Sequence, residues 1–522
     1  MGLTQRASDG SIPEKKDMSW LVLRAEEAFG PERSTDDLAT RSVRGGAIST
    51  VGQAAQFIFQ VGGTVLLARL LTPRDFGLVA MVTVITTFGM LLRDAGLSTA
   101  TVQSRTLTRE QASVLFWVNS AAGILLGLGL VAAAPAVAAF YGEHELVLIS
   151  MGLAVPLLLS GLSAQHSALL RRSMRFTAMT VVQIASYGSY FVVAVVAAWL
   201  GLGYWSLILA NGAGIVMAML QNFFFCRWLP SRPRRGVGAA GLFRFGGHVL
   251  GSNLVNYFTS NADSILVGRF LGAGPLGLYN RAYNFVALPV SQLRDLAERV
   301  GLPVLRLLID EAERYRRYYL RMANIVATVC FPVGMICVVE GGFFVRVLLG
   351  EQWLGATPVF RILGAVMIIR PAMATVEIAQ LSTGQSRRFF YWSMFTSAVY
   401  VASFVAGLAW GISGVAGAFA IANYALALPG SFYCLRLTPV RVRDFWRQLL
   451  VPLIVTGCLA GVVLAMHAIA GHALLWQGLG VVVFVVAYVV ASAARPSVRE
   501  LVGPLLHVRR PLQKPSPQEV NE

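Results

Sequence analysis

Charge is what this chain has least of. Aspartate, glutamate, lysine and arginine make up 13% of its 522 residues, about half of the ~25% usual in soluble domains. A water-exposed globular domain is therefore excluded over most of its length. Lysine is nearly absent, because of 43 basic residues only Lys15, Lys16 and Lys514 are lysines. The formal charge of +17 is thus almost all arginine. Those arginines alternate with apolar runs and form no basic stripe on a soluble face, so nucleic acid is not an expected partner. Cysteine is scarce too. Cys226, Cys330, Cys337, Cys434 and Cys458 lie in or beside apolar runs, with no C-x-x-C pair and no histidine at ligand spacing. They read as small apolar residues, and neither a metal centre nor a cofactor is expected. His166, His248 and His467 are isolated from one another.

What the chain has is apolar length. Hydrophobic residues are 56% and the mean hydropathy is +0.63. They fall into about fourteen segments, from 46–68 to 473–494, each long enough to cross a ~30 Å hydrocarbon core at 1.5 Å per residue. The expected fold is an all-α integral membrane protein. The connections are short, which leaves no room for a catalytic domain.

The loops give orientation, because basic residues favour the cytoplasmic side. Arg105 and Arg109, Arg171, Arg172 and Arg175, Arg232, Arg234 and Arg235, Arg387 and Arg388, and Arg441, Arg443 and Arg447 fall in alternate loops. The other loops hold few cations, and the turns near Gly201 and Gly411 have no charge. With the first 40 residues polar and lacking a secretory signal pattern, both termini are expected in the cytoplasm. The membrane would be the bacterial cytoplasmic (inner) membrane, crossed many times. The stretch from Gln292 to Arg321 mixes leucines with arginines and reads as a helix leaving the membrane and lying along its anionic inner surface.

An internal repeat appears at an offset of 200 residues. Arg44 meets Arg244, Gly46 meets Gly246, Leu66 meets Leu266, Arg69 meets Arg269 and Gly77 meets Gly277. Gln53, Gln56 and Gln60 match Asn253, Asn256 and Ser260, and the i, i+3, i+7 spacing puts each set on one helical stripe. A repeat of six spans keeps its orientation, which implies two parallel six-helix lobes around a central site, as in an alternating-access carrier. The stripes read either as cavity lining or as amides holding neighbouring helices together. The expected organisation is a cytoplasmic segment at 1–40, a first lobe at 41–229, a linker at 230–244, a second lobe at 245–436, a helix pair at 445–494 and a cytoplasmic tail at 495–522. The glycines at 236, 238 and 241 mimic a dinucleotide fingerprint, but no βαβ pattern surrounds them, and a linker explains them better.

Several stretches carry a family resemblance. They are ARLLTPRDFGLVA from Ala68 to Ala80, DAGLSTATVQ from Asp94 to Gln103, LFWVN from Leu115 to Asn119, LYNRAY from Leu278 to Tyr283, and LGEQWLGATPVFR from Leu349 to Arg361. The chain, from residue 41 to about 494, resembles bacterial polysaccharide flippases of the multidrug/oligosaccharidyl-lipid/polysaccharide exporter superfamily. The likeness is to the lipopolysaccharide and exopolysaccharide biosynthesis branch. It implies fourteen helices in two lobes plus a terminal pair. It also implies movement of undecaprenyl-diphosphate-linked oligosaccharide from the inner to the outer leaflet, beside polysaccharide polymerase machinery.

A pyrophosphate-linked saccharide calls for cations toward phosphate and amides or hydroxyls toward sugar. Ionisable residues inside spans are costly and are functional candidates by default. These are Asp263, Arg281, Arg370 and Glu377, with Gln53, Gln56, Asn253 and Asn256 as cavity amides. Arg370 is nearest mid-span, and Glu377 lies seven residues on, on the same helical face. Asp263 and Arg281 sit at similar depth on adjacent helices, which fits either an ion pair or a transport role. No catalytic residue is assigned. A membrane glycosyltransferase or polymerase would need acids on a structured outward loop, and only Glu143 and Glu145, in a short turn, are there. A drug-for-cation antiporter would place acids centrally in the first lobe, where the spans have none. A flippase for another polyprenyl-linked precursor, such as the peptidoglycan lipid intermediate, stays open as the alternative.

Overall fold

The computed structural model describes residue 29 and residues 35–104, 106–233, 240–471 and 473–493. Among them there is no β-strand. The expected cytoplasmic segment at 1–40 lies almost wholly outside the described residues, as does the tail at 495–522, and residues 234–239 of the expected linker are outside them too. The helices are α1 (Thr35–Leu70), α2 (Pro73–Asp94), α3 (Leu97–Gln103), α4 (Arg109–Tyr141), α5 (Leu146–Arg172), α6 (Phe176–Trp199), α7 (Trp205–Cys226) and α8 (Ala240–Leu271). They continue as α9 (Ala273–Leu307), α10 (Ala312–Val339), α11 (Thr357–Ser382), α12 (Ser386–Gly407), α13 (Gly411–Leu435), α14 (Val442–Ala470) and α15 (Leu474–Ala493), with short single turns between α10 and α11.

Ten stretches among the described residues are long and apolar enough to cross a membrane, one of which, Ser386–Leu435, holds both α12 and α13. The ten leave out α1, α8 and α9, each of which contains positions whose side chains lie outside the described residues. Among the described residues α1 has an apolar run from Ala55 to Leu70, while α8 carries Asp263 and Arg269, and α9 carries Arg281, Arg294, Asp295, Glu298 and Arg299. The stretch 292–321 is divided between α9, which runs unbroken to Leu307, and α10, which begins at Ala312.

The chain divides into two compact units, Met1–Asn261 and Ala262–Glu522. In the first, local sequence sets the helix starts. Thr72 caps α2, its side chain accepting from the Asp75 amide while Asp75 accepts from the Thr72 amide at 2.9 Å, with Pro73 at the first helical position. Thr108 and Gln111 repeat the device at α4. Small residues then let the helices close. A Cβ on Gly161 of α5 would stand 2.6 Å from the Asn119 carbonyl oxygen of α4, so only hydrogen fits this crossing. After α2 the chain reverses through two left-handed residues, Ala95 at φ 42° and Gly96 at φ 70°. This corner packs on Gly246 of α8, where a Cβ would be 2.5 Å from the Ala95 carbonyl oxygen. At the start of α2, Arg74 pairs with Glu143 at 2.8 Å and Glu145 at 3.1 Å, tying it to the α4–α5 turn. After α7, Arg227 adopts φ 39° and turns Trp228 into an aromatic nest with Phe116 and His166, whose Nε2 lies 3.1 Å from the Trp228 carbonyl oxygen.

In the second unit α11 is the most enclosed of the ten stretches. Gly334 of α10 and Gly364 of α11 face each other, each placing a missing Cβ within 2.7 Å and 2.9 Å of the other's carbonyl oxygen. Tyr315 and Tyr319 of α10 are fully enclosed against α11. The Tyr315 hydroxyl is 2.6 Å from Ser382 Oγ. Outward faces are apolar instead of charged: Leu450, Val451 and Ile454 on α14 and Val482, Val486 and Val490 on α15 are all exposed. Such a surface suits lipid and would associate in water.

Candidate functional site

The ionisable residues that sequence places inside spans gather in the second unit. Arg370 sits one residue before Pro371 in the enclosed helix α11. Its guanidinium carbon is 5.3 Å from the Phe419 ring centroid on α13, a cation–π distance. The phenols of Tyr283 and Tyr400 and the carboxyls of Glu377 and Asp263 are within its electrostatic range. Among the described residues no carboxylate approaches it within the 4.0 Å of an ion pair. A rigid fork of five N–H donors is thus held by an aromatic face and left without an acid at contact.

Around it stands a polar and aromatic shell. Tyr400 of α12 donates to Asn423 Oδ1 at 3.3 Å, and Asn423 of α13 donates from Nδ2 to the Phe419 carbonyl oxygen at 2.8 Å, so ring and phenol are fixed together. Tyr279 and Tyr283, one turn apart on α9, stack with centroids 6.4 Å apart. Asp263 of α8 is 7% exposed; it accepts from Tyr279 at 3.0 Å and from the Ser264 amide at 2.7 Å. Ser264 Oγ donates in turn to Asn280 Oδ1 at 3.1 Å.

The sequence candidates distribute as follows. Arg370, Glu377 and Asp263 are brought into one electrostatic group. Glu377 lies farther along α11, where Arg294 and Glu298 of α9 also act on it. Arg281 is not among the partners of Asp263, which are Tyr279, Ser264 and, at longer range, Arg370. Of the amides, Gln56 accepts a hydrogen bond from Gln183 of α6, a contact between neighbouring helices. Gln53 and Asn253 are exposed, and the Asn256 side chain lies outside the described residues.

Sequence reasoning missed Tyr283, Tyr400, Phe419 and Asn423. The i, i+4 spacing of Tyr279 and Tyr283 within the LYNRAY stretch is a usable signal for α9. Tyr400 and Phe419 offer none, since aromatics facing lipid and aromatics facing a lobe interior look alike in a row of apolar residues.

Comparison with known proteins places the chain. Among curated relatives, the teichuronic acid biosynthesis protein TuaB of Bacillus subtilis is 28% identical over 77% of this chain and 84% of its own length. The lipopolysaccharide biosynthesis protein WzxC of Escherichia coli is 23% identical over 66% of this chain and 70% of its own. The succinoglycan biosynthesis transport protein ExoT of Rhizobium meliloti is 27% identical over 63% and 67%. Among solved structures, the lipid II flippase MurJ in an inward closed conformation superposes with a TM-score of 0.66 over 88% of this chain and 100% of its own, at 12% identity. An inward-facing multidrug transporter of the MATE family gives 0.57 over 75% and 96%, at 15% identity. These two likenesses speak for the fold. Residues 66–358, more than half of the sequence, match the family described as "Polysaccharide biosynthesis protein". The chain belongs to that family.

Proposed function

We propose that this protein is a flippase that carries undecaprenyl-diphosphate-linked oligosaccharide from the inner to the outer leaflet of the bacterial cytoplasmic membrane, by alternating access, for lipopolysaccharide or exopolysaccharide synthesis. The observation that carries the reading is Arg370: a guanidinium inside an apolar bundle, fixed on Phe419 and with no carboxylate at contact distance. A buried cation kept in that condition needs an anion part of the time, and a diphosphate offers the planar, bidentate acceptor that its geometry matches. Tyr283, Tyr400 and Asn423 supply hydroxyls and an amide to sugar hydroxyls, and the ring faces of Tyr279, Tyr283 and Phe419 suit the apolar faces of pyranose rings. Glu377, within the electrostatic range of Arg370 on the same helix, would approach and neutralise it at another step, so the cycle alternates between an internal partner and the phosphate. On this reading the arginine-rich loops face the cytoplasm, both termini are cytoplasmic, no bond is made or broken, and the substrate passes on to polymerase machinery.

The test is the lipid-linked glycan that accumulates when the gene is deleted. Accumulated undecaprenyl-diphosphate-linked repeat unit, inaccessible to enzymes added outside spheroplasts and cleared by the full chain, supports the proposal. Accumulated peptidoglycan lipid intermediate would assign the chain to the cell wall instead.

A further inference from the structure

In the first unit α1 and α6 run parallel and meet rung by rung. Thr180 lies against Gly52, Gln183 Nε2 donates to Gln56 Oε1, and the Phe191 ring stands 3.0 Å from the Cβ position of Gly63 and 5.9 Å, centroid to centroid, from Phe59. Gln60 and Tyr187 are one helical turn beyond Gln56 and Gln183, which places both on the rung between the amides and Phe191. That rung is at mid-depth, because Tyr187 falls at the middle of α6.

The polar stripe is turned away from lipid. On α6 the exposed apolar residues Val181, Val192 and Val196 lie, by helical spacing, on the side opposite Gln183 and Tyr187. On α1 the exposed Ile58 lies opposite Gln56 and Gln60 in the same way. Tyr187 nevertheless keeps 36% of its surface open, so there is room on the polar side. Its hydroxyl has no hydrogen-bond partner among the described residues. The Gln60 carbonyl oxygen accepts from Thr64 Oγ1 at 2.6 Å, but the Gln60 side-chain amide likewise has no partner among them. Amides that hold neighbouring helices together account for Gln56 and Gln183, and leave Gln60 and Tyr187 unexplained.

Hydrocarbon offers no hydrogen bonds, so unengaged amides and a phenol at mid-depth belong on a face that meets water or a polar ligand. This face carries no charge. α6 contains no Asp, Glu, Lys, Arg or His, and α1 has none from Gly45 to Ala68. A phosphate would find no cation here, whereas sugar hydroxyls donate and accept at once and match amides and a phenol. We infer that the first unit carries its own charge-free saccharide subsite, in which Gln60 and Tyr187, with the unused parts of the Gln56 and Gln183 amides, bind hydroxyls of the glycan in transit. The inference rests on the flippase reading above and adds a place where sugar is held independently of Arg370.

Binding of two lipids to the purified full-length protein in detergent tests it. The probes are the lipid-linked glycan extracted from the deletion strain and undecaprenyl diphosphate without sugar. Tyr187→Phe should weaken binding of the glycan lipid about three- to tenfold, the worth of one hydrogen bond. Gln60→Leu combined with Tyr187→Phe should weaken it at least about tenfold, while affinity for undecaprenyl diphosphate changes less than about twofold in either variant. Because the phenol hydroxyl holds nothing within the protein, Tyr187→Phe should unfold at the same temperature as the unaltered chain. Unchanged affinity of both variants for the glycan lipid, an equal loss for the two lipids, or earlier unfolding of Tyr187→Phe would overturn the subsite and leave the flippase reading standing. Failure of the unaltered chain to bind the glycan lipid would overturn that reading, and the subsite with it.

Discussion

Tyr279 donates its hydroxyl to Oδ2 of Asp263 across 3.0 Å, joining α9 to the second half of α8. The pair is one turn of α9 from Tyr283 and shares the field of Arg370. Asp263 has few other donors, since the Ser264 amide serves Oδ1 alone. Tyr279→Phe should therefore cost about 1–3 kcal/mol, the usual penalty for stranding a buried acceptor. Asp263→Asn, which keeps an acceptor for the phenol, should cost less. Thermal unfolding of the purified protein in detergent checks the order of the two, and equal stability of Tyr279→Phe and the unaltered chain would show the bond to be dispensable.

Arg370→Ala should abolish surface polysaccharide in a complemented deletion strain at near-normal membrane abundance. Arg370→Lys should restore only part, because an ammonium is a point charge and cannot dock two phosphate oxygens in one plane. Phe419→Leu, which removes the ring beneath the guanidinium but not the charge, should fall between them. Full complementation by Arg370→Ala would count decisively against phosphate contact.

Gly246 and Gly247 are neighbours with opposite tolerance. A Cβ on Gly246 would collide with the Ala95 carbonyl oxygen at 2.5 Å, while one on Gly247 meets nothing within 4 Å. Gly246→Ala should destabilise the first unit by about 1–3 kcal/mol through forced separation of backbones, and Gly247→Ala should be neutral or slightly stabilising. Fluorescence-detected size exclusion after heating reads both.

Orientation can be read with thiols. Cys458 is the one exposed cysteine among five, so it is first replaced by Ala. Cysteines introduced at Gly142 and Gly411 should then react with an impermeant reagent applied to spheroplasts, and those at Ser231 and Ser386 should not. Reaction at Ser231 or Ser386 would reverse the topology.

Much of the architecture was legible because a membrane restricts the vocabulary to apolar helices and polar turns. The Thr72-Pro73-Arg74-Asp75 stretch announces the start of α2, and Arg370 stands out because charge inside a span is rare. Legibility failed where partners are distant in sequence. Glu340 and His467 are each an isolated residue in the chain, and only packing of α10, α14 and α15 makes them a pair. Gln56 was legible as polar but not as engaged, because its partner Gln183 is 127 residues away in sequence.

The nest around Trp228 has a mechanical meaning. Its indole stands against Phe116 and His166, and three residues later Ser231 bonds to Ser113 of α4 through both its amide and its hydroxyl, at 3.1 Å and 3.0 Å. The chain leaving α7 is thus moored twice before residue 233. Any pull from beyond that point is borne by α4 and α5, the most tightly crossed helices of the unit, and the last turn of α7 is spared the load.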